Sequence, residues 1–435
     1  MKRPNHFGRW LACVLLCLLL AGCSMPGEQV QVEELLRAPK LSGDYGDVQT
    51  ALNDWLGESA QLKYPMQGDL LSPFLIHDLD GDGQQDAAVL YTTAQSSNVC
   101  VAILQKGSDG MWQVRQNAEG LADTVDSVGL AQLQPGDASQ LVVGYVAAQG
   151  DHYLAVYSYT DGELSTILEQ QYQQYLVEDI TGGGSQDLIL MSTLEDGGVQ
   201  IELLTVDKEG SFQQVAVMGL SADRFSGCAS VAAGVGADGR HYLVLDGWTG
   251  ISGNNLASVL LCFDESTQQM VQASQISADE LYEASLRNVS TLVSCDLDGD
   301  GIVEIPTQPD EAGLLNLSQS RRMDFIVWMD YTSRRPEKSF GLLDEETNCY
   351  IELPTEWEGN LKLTDSEQYD GAVELRTVDE DQPVMTVRLA QTAASSTGWT
   401  KLGIVASRQM QARLAPDVEI QDADYSLSNA LYLLN

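Results

Sequence analysis

Two nine-residue stretches constrain this chain most: Asp78-Leu-Asp-Gly-Asp-Gly-Gln-Gln-Asp86 and its near-copy Asp296-Leu-Asp-Gly-Asp-Gly-Ile-Val-Glu304. In each, acidic residues stand at positions 1, 3, 5 and 9, and glycines at positions 4 and 6. Glycine permits a tight curl that a Cβ would obstruct. Alternate side chains of such a curl converge on one point, where four carboxylates repel one another unless a cation lies between them. A hard cation that takes only oxygen ligands, such as Ca²⁺, suits that set. The spacing therefore predicts two structural Ca²⁺ sites. Asp78, Asp80, Asp82 and Asp86 would supply one, with the backbone carbonyl of Gln84 at position 7. Asp296, Asp298, Asp300 and Glu304 would supply the other, with the carbonyl of Ile302.

EF-hand loops open in the same way but need a bidentate Glu at position 12 and a helix on each side. Position 12 here is Val89 in one copy and Thr307 in the other. The flanks, Phe74-Leu-Ile-His77 and Ala87-Ala-Val-Leu-Tyr91, are short apolar runs of strand type. The loops are expected to join strands.

Weaker copies lie between them. Asp179-Ile-Thr-Gly-Gly-Gly-Ser-Gln-Asp187 keeps the acids at positions 1 and 9 but has Thr181 and Gly183 at 3 and 5. Fainter copies start near residues 132 and 234 and lack the carboxylates, so neither is expected to bind an ion. Loop starts at 78, 132, 179, 234 and 296 are spaced by 54, 47, 55 and 62 residues. Strand-like runs such as Leu188–Leu194 and Val199–Val206 fill each interval. Three or four strands per period of roughly 50 residues is the pattern of a β-propeller blade.

The motif apolar–Asp-x-Asp-Gly-Asp-Gly-x-x-Asp/Glu–apolar resembles the FG-GAP/VCBS class of repeats, found in integrin α-subunit heads and many bacterial surface proteins. The resemblance covers about residues 70–310. It implies a propeller whose cation loops join adjacent strands of a blade, with the ten residues named above as ligands. The expected fold is mainly β, a β-propeller of such repeats followed by a small α+β C-terminal domain. The expected divisions are 1–22, 23–44, 45–324 and 325–435. Segments 45–70 and 310–355 are candidates to complete the ring.

At the start, Lys2, Arg3 and Arg9 precede the apolar stretch Leu11–Ala21, which has the make-up of a secretion signal. Eleven residues fall short of the roughly 20 that span a bilayer. Leu20-Ala-Gly-Cys23 resembles the lipobox of bacterial lipoproteins. It implies cleavage before Cys23, lipidation of its sulfur and an extracytoplasmic body held at the bacterial membrane by that anchor. Ser24–Gly43 would be the tether. The chain carries 63 acidic and 23 basic residues, a net charge of −40. That balance argues against nucleic acid as a partner.

Of eight cysteines, Cys100, Cys228, Cys262, Cys295 and Cys349 remain beyond the leader and the lipobox. They form no CxxC pair, which offers no zinc site, and they are expected to be free thiols. The chain has no HExxH, GxSxG or P-loop motif. Asp365, Glu367 and the Glu356-Trp-Glu358 triplet show no catalytic spacing and are expected on a solvated face. Leu427–Leu434 is expected to be helical. The function that fits is a lipid-anchored, calcium-stabilised binding or scaffold module with a protein or glycan ligand. The alternatives are a hydrolase or lyase acting on cell-wall or extracellular polysaccharide, and a sensor or assembly lipoprotein docking a membrane partner.

Overall fold

The computed structural model describes residues 43–250, 253–309, 314–319, 321–333, 337–392, 397–423 and 425–434. The expected leader, Cys23 and residues 24–42 of the expected tether lie outside the described residues. The fold is mainly β and propeller-like: four-stranded antiparallel meanders follow one another along the chain and stack face to face. Sheet I holds Phe74–His77, Asp86–Thr92, Cys100–Lys106 and Trp112–Glu119, with Gln61–Leu62 added beside Asp86–Thr92. Sheet II holds Thr124–Ala131, Gln140–Val146, His152–Thr160 and Glu163–Tyr172. Sheet III runs from Gln174–Glu178 through Asp187–Thr193 and Val199–Val206 to Phe212–Leu220. Sheet IV comprises Gly227–Val235, His241–Thr249, Asn255–Asp264 and Gln269–Gln272.

Period-2 alternation explains the stacking, because successive side chains of a strand face opposite neighbours. Leu188 and Leu190 of sheet III pack toward sheet II, while Ile189 and Met191 pack toward sheet IV. Leu243 and Leu245 of sheet IV meet sheet III; Tyr242 and Val244 meet the sheet after it. A strand covered on both faces is apolar along most of its length, and Asp86–Thr92, buried at every residue, carries Ala87, Ala88, Val89, Leu90 and Tyr91 between its polar ends. The fourth strand of each meander lies outside this sandwich. Trp112–Glu119 accordingly shows mostly partly or fully exposed residues.

Sheet V contains Ile305–Thr307, Met323–Met329, Glu337–Asp344 and Cys349–Leu353, closed at its edge by Leu431–Leu433. An isolated bridge from Cys295 to Glu304 stands where the other sheets have a first strand. Sheet VI contains Leu314–Asn316, Leu361–Asp365, Val373–Thr377, Pro383–Gln391, Arg408–Leu414 and Thr400–Val405. It packs on sheet V through Phe325, Phe340, Leu342, Leu363, Val373 and Met385. The boundary expected between residues 324 and 325 falls inside strand Met323–Met329. Sheet V therefore draws on both sides of it.

Helix α1 (Asp44–Leu56) covers the outer face of sheet I, setting Val48 and Leu52 against Phe74, Val89, Ala102 and Leu104. Val48, Leu52 and Leu56 follow one another at i, i+4 spacing, which sets them on one helical face, and Gly57 ends the helix in the left-handed conformation at φ 71°. Residues 44–56 thus cap the row of sheets as a helix and add no blade strand. Helix α2 (Ala278–Ala284) starts with a capping box between Ser277 and Glu280.

The helix expected over Leu427–Leu434 is instead a 3₁₀ turn, Leu427–Asn429, followed by strand Leu431–Leu433. Strand Cys349–Leu353 offers an open sheet edge. Pairing there, with the Tyr432 hydroxyl donating to Glu352 Oε2 at 3.1 Å, outweighs the helical spacing of the leucines.

Candidate metal centre

The five repeated loops occupy one structural position. Each joins the first and second strands of its sheet, and in sheet V the loop joins the bridge residue Cys295 to strand Ile305–Thr307, so all five lie at one end of the stack. Neighbouring loops touch: Ser139 N–H donates to Leu79 O at 3.1 Å, Gln186 N–H to Gln132 O at 2.8 Å and Val235 N–H to Gly301 O at 2.8 Å. At Gly81 an added Cβ would stand 3.0 Å from Ala138 N, so the first loop approaches the second too closely for a side chain.

In the Asp78 loop the position-1 carboxylate is held from within. Gly81 N–H donates to Asp78 Oδ1 at 2.8 Å and Gly83 N–H to Oδ2 at 2.7 Å. Asp86, 1% exposed, accepts from Leu79 N–H at 2.9 Å and from Gln105 Nε2 at 2.9 Å. Burial pushes its carboxyl pKa up, against those two hydrogen bonds. Oxygens of Asp78, Asp80 and Asp86 lie within 4.8 Å of one another. Asp82 stands outside that group, its oxygens accepting from the Gln84 backbone at 2.7 Å and side chain at 3.1 Å.

The Asp296 loop repeats the frame. Gly299 and Gly301 N–H groups donate to Asp296 at 2.8 Å each, and Leu297 N–H donates to Glu304 Oε2 at 2.8 Å. Here the clustered oxygens are those of Asp296, Asp298 and Asp300. The difference between the loops is Lys338. Its Nζ lies 2.5 Å from Asp300 Oδ2, 3.0 Å from Glu304 Oε1 and 3.5 Å from Asp298 Oδ2. Burial alone would lower the pKa of this ammonium, but Asp300 and Glu304 hold it above the usual lysine range. Lys338 in turn lowers Asp300, while Glu304 is pushed up by burial. Nothing near the motif in sequence announces this lysine, which arrives from strand Glu337–Asp344 of the same sheet.

The Asp179 loop has the same backbone without the middle carboxylates. Asp179 accepts from Gly183 N–H at 3.0 Å and Gly184 N–H at 2.8 Å. Asp187, 2% exposed, accepts from Ile180 and Thr181 N–H at 2.8 Å each. Even the 132 loop keeps the brace, with Gln140 Oε1 accepting from Leu133 N–H at 3.0 Å. The copy near 234 is shorter, a tight turn closed by Gly236 N–H donating to Arg240 O at 2.9 Å.

Other singled-out residues go elsewhere. His77 Nε2 lies 3.1 Å from Ser139 Oγ, between the first two loops. Asp365 accepts from Ser318 Oγ at 2.6 Å and Gln319 N–H at 3.0 Å, and Glu356 from Gln421 N–H at 2.8 Å. These two acids tie loops of the C-terminal region together. The five described cysteines are free thiols, four of them buried.

No protein-family model matches the chain, and no curated protein matches it. Among solved structures, it is similar to the periplasmic gluconolactonase PpgL of Pseudomonas aeruginosa at 15% identity and a TM-score of 0.27. That match covers 65% of this chain and 88% of the other. The rhamnogalacturonan lyase YesW matches at 14% identity and TM-score 0.24, over 55% of this chain and 58% of the lyase. A Bacillus licheniformis rhamnogalacturonan lyase, PL11, matches at 12% and 0.22, over 61% and 59%. The chain thus spans less than two thirds of either lyase.

Proposed function

We propose that this chain is a lipid-anchored module of FG-GAP/VCBS-like blades that binds or scaffolds a partner outside the bacterial cytoplasm, with Ca²⁺ in a structural role. The observation that carries the calcium part is the Asp78 loop. Two half-buried carboxylates and one buried carboxylate converge within 4.8 Å on a backbone already curled by Gly81 and Gly83, at φ 78° and 83°. An oxygen-only set on a preformed loop suits a hard divalent ion. The Asp296 loop gathers the carboxylates of Asp296, Asp298 and Asp300, but an ion there competes with the Lys338 ammonium. The anchor part rests on the Leu20–Cys23 lipobox, and the chain's acidity leaves nucleic acid out as a partner.

Calcium that binds only the folded state adds RT ln(1 + [Ca]/Kd). For a Kd of about 10⁻⁴–10⁻³ M this is about 1.4–2.7 kcal/mol per site at ~10 mM calcium. Thermal unfolding of the full chain in EGTA and in calcium tests the reading. The midpoint should rise with calcium in the wild type, lose most of that rise in Asp80→Ala and lose all of it in Asp80→Ala/Asp298→Ala. Equal midpoints of the wild type in EGTA and calcium would sink the cation role.

A further inference from the structure

At the opposite end of the stack from the acidic loops, sheets II, III and IV frame a cleft of about 530 Å³, within the range of small-ligand sites. It is lined where strand ends meet: His152 opens the third strand of sheet II, Tyr172 closes the fourth, Thr193 closes the second strand of sheet III and Trp248 lies near the end of the second strand of sheet IV. Its floor is built. Gln173 donates from Nε2 to Thr193 Oγ1 at 2.6 Å and accepts from Cys228 N–H at 2.9 Å, stitching sheet III to sheet IV.

Behind His152 lies Asp126, 4% exposed, whose carboxylate accepts from Tyr172 OH at 2.8 Å and from Gln67 Nε2 at 3.0 Å to each oxygen. His152 Nδ1 lies 3.4 Å from Asp126 Oδ2 and is sealed from solvent, with no hydrogen-bond partner. The ring itself lines the cleft, its side chain 35% exposed. Gly144 makes the arrangement possible, since a Cβ there would sit 2.5 Å from the Tyr172 hydroxyl and 2.7 Å from Ser127 Oγ. Tyr172 also stands edge-on to His152 at 5.6 Å and to Tyr175 at 5.3 Å, which fixes the ring orientations.

We propose that this cleft binds an uncharged, polyhydroxylated chain, a neutral glycan, with Trp248 as stacking face and His152 as an oriented hydrogen-bonding group. Neither Lys nor Arg lines it among the described residues, in a chain of net charge −40, so an anionic ligand finds no counter-charge. Its polar lining is dominated by neutral amides and hydroxyls, of Gln171, Gln173, Ser192, Thr193 and Ser226, with Asp151 as the acid. Groups of that kind satisfy sugar hydroxyls, and a half-buried indole covers the apolar face of a pyranose. The cleft is remote from the acidic loops, so this binding is independent of the calcium reading.

Calorimetric titration of the full chain with maltohexaose, cellohexaose, xylohexaose and mannohexaose tests it, in EGTA and in calcium, with hexagalacturonate as the charged arm. At least one neutral hexasaccharide should bind in both buffers, and hexagalacturonate should not. Trp248→Ala and His152→Ala should each weaken binding about tenfold or more while keeping the wild-type melting point. Where Trp248→Ala melts early, Trp248→Phe carries the comparison, with a smaller loss. The proposal is overturned if no neutral hexasaccharide binds at millimolar concentration, if both variants bind as the wild type does, or if hexagalacturonate binds more tightly.

Discussion

Lys338 is the residue on which the two acidic loops part company. The Asp78 loop meets a neutral amide, Gln105 Nε2, 3.2 Å from Asp80 and 2.9 Å from Asp86. The Asp296 loop meets an ammonium, which neutralises part of its charge without any metal. A bound divalent ion would have to share these carboxylates with a positive charge that already contacts three of them, a strongly unfavourable arrangement in a partly buried site. Lys338→Met should therefore raise calcium affinity at the second loop at least about tenfold, read by calorimetry as a tighter or newly visible second site. In EGTA the same substitution strips the buried Glu304 of its counter-ion and should cost about 1–3 kcal/mol, less than a fully buried pair because Lys338 is part-exposed. Calcium should restore most of that loss. A variant with unchanged calcium binding and unchanged midpoint would show that Lys338 has no part in the loop.

Among the elements, the recurring unit is a loop with a fixed brace: a position-9 side chain accepts from the position-2 backbone N–H. Asp86, Gln140, Asp187 and Glu304 all do so, over the buried or part-buried residues Leu79, Leu133, Ile180 and Leu297. Positions 4 and 6 hold left-handed glycines in three loops, Gly81 and Gly83, Gly182 and Gly184, and Gly299 and Gly301. The Asp179 loop keeps this shape with two of the four acids gone, so the curl belongs to the glycines and the brace. Asp187→Ala would leave the Thr181 N–H without an acceptor and the Ile180 N–H with Glu178 O alone, at 3.1 Å, and should destabilise the fold by about 1–3 kcal/mol. Gln140→Ala, which strands the Leu133 N–H, should cost about 1–3 kcal/mol. Urea denaturation measures both, and hydrogen exchange should show faster opening at Ile180 and Leu133. Exchange as slow as in the wild type would mean the brace is incidental. The 132 copy was faint in the sequence because Gln replaces the acid, although an amide oxygen accepts the same bond.

For the whole molecule, the row of sheets is locked by buried charge as well as by apolar packing. Arg287, fully buried, lies 2.7 Å from Asp246 Oδ1 of sheet IV, and its Nε donates to Leu292 O at 2.6 Å. Asp246 also accepts from Ser294 N–H at 2.6 Å and Ser258 Oγ at 2.5 Å. One carboxylate thus joins sheet IV to the segment that leads into sheet V. Asp246→Ala leaves a buried guanidinium unpaired and should destabilise by about 3–5 kcal/mol, whereas Asp246→Leu/Arg287→Met should cost markedly less. Denaturant midpoints of the two variants decide this, and a double variant as unstable as the single one would refute the charge argument.

By itself the sequence determined the repeat, its strand content, the loop shape and helix α1, because each rests on interactions among residues close in the chain. Glycines at positions 4 and 6, an apolar residue at position 2 and alternating runs of valine and leucine carry that information locally. Only the tertiary structure decided which charges meet. Lys338 reaches a loop that ends 34 residues earlier, Asp126 supports a histidine 26 residues away, and Leu431–Leu433 leaves a helical spacing to fill a sheet edge. Such contacts depend on where stacked sheets bring distant strand ends, and residue spacing along one strand does not encode that.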